Sequence, residues 1–321
     1  MSRHCIQECQ ACMSAQPDVT VRLLEYMAAE KDSEGRNSLL KELIQKYALA
    51  ERKLAELNNS LMEKQRQLDE DLQAAAKIQA ALLPQHQPLT SNTKIAWKFY
   101  PCDRIGGDIF NVVALGDDYM AIYMLDVSGH GVPAAMVTVS VSQFLQQNSV
   151  LLTRKSSSLL QKPAPPQQVL SAIDDEFPIE RFNKFFTMVY MVLNIHTGQL
   201  IYSSAGHPHP ILISAEGQVE YLDKGGTIIG VGNRIPFEEG EKQLCPGDKL
   251  ICFTDGIVEC MNQNGDFYGE ERFFARLLMF RDRPVDDILE EAIRDVMEFG
   301  DQQKPNDDIS LLAIEFISSA P

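Results

Sequence analysis

The residues best able to do chemistry fall in four short acidic clusters: Gly106-Gly107-Asp108, Asp126-Val127-Ser128-Gly129-His130-Gly131, Thr254-Asp255-Gly256 and Asn306-Asp307-Asp308. Apolar, strand-like runs adjoin them. Tyr119 to Leu125 precedes the second, Lys249 to Phe253 precedes the third, and Ile309 to Phe316 follows the fourth, so a folded sheet would gather the carboxylates at strand ends. An all-oxygen donor set favours Mg²⁺ or Mn²⁺ over Zn²⁺. Two such ions about 3.5–4 Å apart make a nucleophile from water near neutral pH and clamp a phosphoryl group for in-line displacement. Hydrolysis of a phosphate ester is the chemistry implied. Any one of these aspartates alone reads as a turn residue or helix cap; the ordered set of four clusters is what points to metal.

Composition narrows the setting. With 321 residues and 45% apolar content, the chain can hold one large domain plus an accessory segment. The longest nearly apolar stretch, Phe185 to Ile195, is too short for a membrane helix, and the N-terminus has no apolar segment resembling a secretion signal. Seven scattered cysteines in a chain of this size suggest reduced thiols, hence a cytoplasmic location. The net charge is −16, and residues 1–83 carry 11 basic and 13 acidic side chains, leaving 18 and 32, or −14, for the remainder. Such a surface repels nucleic acid and anionic lipid, so neither is expected as a partner.

Three regions must position these residues. Residues 1–35 hold a short helix over 18–31, broken by Asp32 to Asn37 with its Gly35. Residues 36–91 repeat an apolar position every seven residues, at Leu40, Tyr47, Leu54, Leu61, Leu68, Ala75 and Leu82, with Leu43, Ala50, Leu57 and Ile78 at companion positions and Lys64 and Asp71 interrupting. That pattern predicts a coiled-coil stalk joining two copies of the chain in parallel; the plainer alternative is a stripe packed on the chain's own globular domain. Pro84, Pro88 and the polar run Thr90 to Asn92 end the helix. Residues 92–321 change to short alternating runs broken by turn residues. Strands are expected over 95–100, 109–115, 119–125, 186–195, 200–205, 211–214, 249–253 and 310–316, and helices over 133–145, 166–176, 270–280 and 285–299, with 148–166 as a flexible loop. Tight turns such as Gly116-Asp117-Asp118 imply hairpins, hence an α+β fold with antiparallel sheets.

Seven motifs in order, from Ala76-Lys77-Ile78-Gln79-Ala80-Ala81-Leu82-Leu83-Pro84 through the four clusters above, with Ala205-Gly206-His207-Pro208 and Pro246-Gly247-Asp248 between them, resemble the bacterial SpoIIE/RsbU type of metal-dependent (PPM, type 2C) serine/threonine protein phosphatase. The resemblance spans residues 76–317. It implies two stacked antiparallel sheets flanked by helices, with a two-metal centre at one end. It makes Asp126 the bridging ligand beside the Val127 carbonyl, Asp108, Asp255 and Asp307 further ligands, and Asp126 and Asp255 the residues on which catalysis depends. Asp308 would support its neighbour by hydrogen bonds. Gly129 would let the backbone turn sharply toward the ions. Two departures stand out: Asn111 occupies a position where the family often has a second acid, and Gly225-Gly226-Thr227-Ile228-Ile229-Gly230 replaces a Gly-Gly-x-Pro-Leu-Gly loop. The substrate implied is a phosphorylated anti-sigma-factor antagonist, a STAS-domain protein, in a partner-switching pathway.

Other candidates carry weaker signals. Arg104 could bind substrate phosphate, and His130 could assist the leaving group or hold a water; a solvated arginine and a loop histidine are the plain readings. His207 and His209 read as structural. His4, Cys5, Cys9 and Cys12 offer metal-ligand types, although free thiols in an unstructured end account for them equally well. Two other functions remain in play: a phosphatase fold that binds its partner without turnover, and a nucleotidyl cyclase, suggested by Gly106-Gly107-Asp108-Ile109-Phe110 but lacking the second acid at Ile109 and leaving Asp255 and Asp307 unused.

Overall fold

The computed structural model describes residues 33–84, 92–147, 153–154, 162–232 and 235–317. The expected helix over 18–31 and the Cys5, Cys9 and Cys12 group lie outside them. The chain divides into two units, Met1–Glu70 and Asp71–Pro321.

Helix α1 runs over Ser33–Ala80. Its surface carries the i,i+4 pairs Glu42–Lys46 and Arg66–Glu70, each at 2.7 Å, which help an exposed helix modestly. Over its described part, 33–37, the expected break at Asp32 to Asn37 is not there: α1 already includes Gly35. A single glycine costs a helix only about 1 kcal/mol relative to alanine, which does not break it. The central heptad side chains point to solvent in the single chain, with Leu54, Leu57, Leu61 and Leu68 each 56–60% exposed, whereas Leu82, the last of the series, is partly buried and packs against the core.

The second unit is a sandwich of two sheets. One has strand order β1 (Thr93–Tyr100), β13 (Ile309–Phe316), β12 (Lys249–Phe253), β8 (Ile211–Ile213), β9 (Val219–Tyr221). The other has β10 (Gly225–Gly226), β7 (Gln199–Ala205), β6 (Phe186–Asn194), β3 (Tyr119–Val127), β2 (Asp108–Leu115), with β11 (Gly240–Gln243) also on β7. All of these pairings are antiparallel except β10 with β7. The predicted two-sheet α+β architecture is therefore observed, and the principal strands fall within two residues of their expected limits. Most of 148–166 lies outside the described residues, but Thr153–Arg154 (β4) pairs with Lys162–Pro163 (β5), so the segment is not loop throughout.

Strict alternation distributes the core. In β13, Leu312, Ile314 and Phe316 face the space between the sheets while Ile309, Leu311 and Ala313 face helices α5 (Glu270–Met279) and α6 (Val285–Phe299). In β3, Met120, Ile122 and Met124 point between the sheets, and Ala121, Tyr123 and Leu125 meet α2 (Val132–Gln147) and α3 (Pro166–Glu176). A single-turn helix, α4 (Ile179–Phe182), follows α3. Both faces of each central strand are thus buried, giving four layers, helix, sheet, sheet, helix. Leu312 is fully buried between the sheets; Leu312→Ala is expected to cost about 2–5 kcal/mol, read as a lower urea midpoint with an unchanged denaturant slope.

Candidate metal centre

Pleat parity carries the inter-sheet face out to the polar end of the sandwich. Asp126 follows Met120, Ile122 and Met124 on the inward face of β3, and Asp108 precedes Phe110 and Val112 on that of β2; the two are directly paired across the ladder. From the other sheet, Thr254 extends the Leu250, Cys252 series past β12, and Ser310 begins the Leu312, Ile314 series of β13. Asp255 and Asp307 lie in the loops at the same strand ends. The charges of Asp255, Asp307 and Asp308 all act on Asp126, and that of Asp126 on Asp108, so the structure brings the predicted acidic set together.

Hydrogen bonding is uneven across this set. Asp108, 1% exposed, accepts from Thr254 Oγ1 at 2.8 Å and Ser310 Oγ at 2.6 Å on one oxygen, stitching the two sheets. Asp308 accepts backbone N–H donors on both oxygens, from Cys102 at 2.7 Å and Gly107 at 2.6 Å. Asp307 accepts only its neighbour's N–H, at 2.8 Å, and is the more open of the pair. Asp308 is committed to holding loops, which leaves Asp307 with an oxygen to offer. Cys102 Sγ and the Asp307 and Asp308 carboxylates also lie within 4.8 Å of one another. That trio is a poor cation site, because burial and the adjacent carboxylates push the Cys102 thiol up to about 12 and Asp308 is already engaged.

Burial first, then mutual repulsion, pushes Asp126 up to about 7 and Asp255 up to about 6; Asp108 and Asp307 are raised by the same causes. No lysine or arginine is ion-paired to Asp108, Asp126, Asp255 or Asp307 among the described residues. A cluster of carboxylates with hard oxygen donors and no protein cation is the donor chemistry that a divalent Mg²⁺ or Mn²⁺ satisfies, so the residues fit the metal that the resemblance implies.

Close backbone approach explains the glycines. A Cβ on Gly106 would fall 2.3 Å from the Asp308 carboxylate, and one on Gly256 would fall 2.0 Å from the Asp308 carbonyl. Gly129 is in the left-handed region, φ 79°, in the loop joining β3 to α2. The remaining predicted residues are more peripheral. His130 is exposed on that loop, where its charge reaches Asp103 and Asp307. Arg104 is exposed in the loop before β2. Asn111 donates to the Leu82 carbonyl at 2.9 Å, tying β2 to the chain leaving α1. The Gly225–Gly230 stretch forms β10 and then an Ile229 bridge to Phe186.

Several residues escaped sequence reasoning. Gln79, 4% exposed in the last turn of α1, clamps Gly106 with both ends of its amide, donating to the carbonyl at 2.7 Å and accepting from the N–H at 3.0 Å. Thr138 Oγ1 donates to the Gly107 carbonyl at 2.8 Å, and Lys184 Nζ donates to the Ser128 carbonyl at 2.6 Å. Gln79 stood within a recognised motif without an evident role; nothing local marks Thr138 or Lys184.

The raised carboxylates fix the sign of a pH effect. A group whose pKa is higher folded than unfolded adds stability below its unfolded value, about 3.9 for Asp, and loses it as pH climbs through the folded value. Metal-free protein in EDTA should therefore lose stability between about pH 4 and pH 7, the window set by Asp126 at about 7 and Asp255 at about 6. Urea denaturation across that range should show a shallower decline for Asp126→Asn than for the parent chain; identical slopes would contradict the assignment.

Comparison with known proteins identifies the family and the fold. Residues 116–317 match the family model "Stage II sporulation protein E (SpoIIE)". Among curated relatives, Protein IcfG of Synechocystis sp. is 26% identical over 264 residues, covering 76% of this chain and 41% of its own, and Phosphoserine phosphatase RsbU of Bacillus subtilis is 26% identical over 204 residues, covering 63% and 57%. The chain thus spans about half the length of the curated relatives it matches. The solved SiaA-PP2C domain of Pseudomonas aeruginosa aligns with TM-score 0.64 and 23% identity, over 78% of this chain and 98% of that one, which shows the same fold. The family match covers well over half of the sequence and the two-sheet sandwich is that of PP2C domains, so this chain belongs to the SpoIIE family of PP2C-type phosphatase domains.

Proposed function

We propose that the protein hydrolyses phosphoserine or phosphothreonine on a regulatory partner protein, using Mn²⁺ or Mg²⁺, two ions, held by Asp108, Asp126, Asp255, Asp307 and the Val127 carbonyl. The observation that carries this reading is the set of crowded carboxylates without a protein cation. When bound, such ions supply Lewis acidity toward water and toward the phosphoryl oxygens. Asp126 is half-buried, directly paired with Asp108 across the ladder and acted on by the charges of Asp255 and Asp307 from the other sheet's loops, and so suits a shared ligand. Thr254 and Ser310 hold the Asp108 carboxylate in one orientation, and Lys184 and Gly107 fix the backbone around Ser128 and Val127.

A covalent route finds no support in the described thiols. Burial pushes Cys252 up to about 12, as it does Cys102, and raises Cys260; Cys245 precedes the far end of β12. A thiol held protonated is not a nucleophile. Direct attack of water on phosphorus therefore suits this site. We assign the substrate class to a phosphorylated STAS-domain anti-sigma-factor antagonist in a partner-switching pathway, as the resemblance of the motifs implies; the similarity to the phosphoserine phosphatase RsbU supports the phosphoserine chemistry. A cytoplasmic location agrees with this; among the described residues no helix is long and apolar enough to cross a membrane.

The exposed heptad residues support a second copy of the chain as the partner of α1, and the Gln79 clamp is a contact through which a change in that helix would reach Gly106 and the acidic loops.

Asp126→Ala and Asp255→Ala are each expected to abolish hydrolysis of a phosphoserine peptide, at least a thousandfold, while circular dichroism shows an intact fold, because the changes remove ligands and not core packing. Parent activity should vanish in EDTA and return with Mn²⁺ or Mg²⁺ but not Ca²⁺. Full activity of either variant would refute the site. For the helix, each buried seam Leu contributes roughly 1.5–3 kcal/mol, so Leu54→Asp/Leu61→Asp should turn a dimer into a monomer by light scattering and change kcat. One mass for both would rule out the dimer; different masses with equal kcat would reduce the helix to a tether.

A further inference from the structure

A lysine stands against the loop between β3 and α2 without a carboxylate partner. Asn183, left-handed at φ 50°, ends α4, and the residues after it extend the pairing of β3 with β6 past Val127 and Phe186. There the Ser128 N–H donates to the Phe185 carbonyl at 3.0 Å, and the Phe185 N–H donates to Ser128 Oγ at 3.3 Å. Lys184 is held by this ladder, and its Nζ donates to the Ser128 carbonyl at 2.6 Å. The amine also borders the next residue, since a Cβ on Gly129 would fall 3.1 Å from it. Ser128 is two residues from Asp126, at most about 7.6 Å between their Cα atoms, so the ammonium lies at the edge of the acidic set.

Lys184 is half-buried, yet no carboxylate comes within ion-pair distance of it among the described residues. The Ser128 carbonyl takes one of the three N–H donors of the ammonium and leaves two. Holding a charge partly out of water with no opposite charge is unfavourable, and an anion bound at this place offsets that cost. Arg104 and His130 are exposed on their loops, whereas the Lys184 amine is already in position and loses less side-chain freedom on binding. Charge balance points the same way. Four aspartates and two divalent ions sum to zero, so a phosphoserine carrying about −1.5 to −2 brings charge that this sum leaves uncompensated.

We propose that the Lys184 ammonium contacts the phosphoryl group of the substrate, donating to a non-bridging oxygen while it keeps its bond to the Ser128 carbonyl. The proposal rests on the phosphatase reading and gives Lys184 the role that the sequence suggests for Arg104. The non-bridging oxygens carry charge both before and during an in-line displacement. A contact of similar strength in both states acts on KM, with kcat little changed when it is lost.

The test uses the full chain with Mn²⁺, reading kcat and KM on a phosphoserine peptide, and the Kd of orthophosphate and of Mn²⁺ by calorimetry. Lys184→Met keeps the length of the side chain and removes its charge. It should raise KM and weaken orthophosphate binding, each about tenfold or more, as expected for a hydrogen bond to a charged group, while the Kd of Mn²⁺ stays that of the parent. Lys184→Arg should recover at least part of the phosphate affinity. Parent-like phosphate affinity in Lys184→Met, or no recovery in Lys184→Arg, would overturn the proposal. So would a loss of phosphate affinity matched by an equal loss of Mn²⁺ affinity, because a lysine that only holds the loop acts through the metal ligands. If Lys184→Met fails to fold by circular dichroism, Lys184→Gln takes its place with the same expected outcome. If the parent turns over no phosphoester, the phosphatase reading fails by itself, and orthophosphate still decides the contact: tighter binding by the parent than by the neutral variant supports it, and equal affinity, or none in either, overturns it.

Discussion

Like charge held in a low-dielectric place is the constraint around which this domain is arranged. The two sheets bury apolar side chains on both faces, and the inter-sheet layer ends at Asp108 and Asp126, where the next inward positions are carboxylates instead of Leu or Ile. Asp255 and Asp307 add to them from the neighbouring loops. Burial and then mutual repulsion raise all four above the ordinary range, and near neutral pH a bound divalent counter-charge relieves both without protonating the acids. The fold keeps this end acidic at a cost in stability, which is the usual relation between a functional site and its scaffold.

Much of the surrounding structure serves to make that crowding possible. Hydroxyls from Thr254 and Ser310 share the Asp108 charge between sheets. Asp308 spends its carboxylate on the N–H groups of Cys102 and Gly107, and Gly106 and Gly256 lie against it where a side chain would not fit. Thr138 and Gln79 then bind the carbonyls of Gly107 and Gly106 from two different helices. Helix α2 and the end of α1 are thereby coupled to the loop that carries Asp108. The other helices act mainly as cover for the outer faces of the sheets.

How much of this was legible in the chain depends on the range of the interaction. Alternation in Ile309 to Phe316 and Tyr119 to Val127 gave strands that lie almost where expected, because period-two burial is local information. Helices 166–176 and 285–299 match to the residue, each beginning directly after a proline. Strands β9, β10 and β11 went unseen: each is two to four residues long, and β10 is a Gly-Gly pair that owes its state to the neighbouring strand β7. The Gly35 break failed because one glycine costs a helix only about 1 kcal/mol relative to alanine. The acidic residues were visible by type and order, but Thr254, Ser310, Gln79 and Lys184 act across 27 to 202 positions of sequence, a distance over which one sequence carries no spacing rule.

The central claim is that the acids of both sheets form one cation site. Anomalous diffraction from a crystal soaked in Mn²⁺ tests it most directly. The account predicts two manganese peaks among Asp108, Asp126, Asp255, Asp307 and the Val127 carbonyl, with Asp308 still bound to the Cys102 and Gly107 N–H groups. Manganese seated instead on Cys102, Asp307 and Asp308, or absent from the acidic end at saturating concentration, would contradict it.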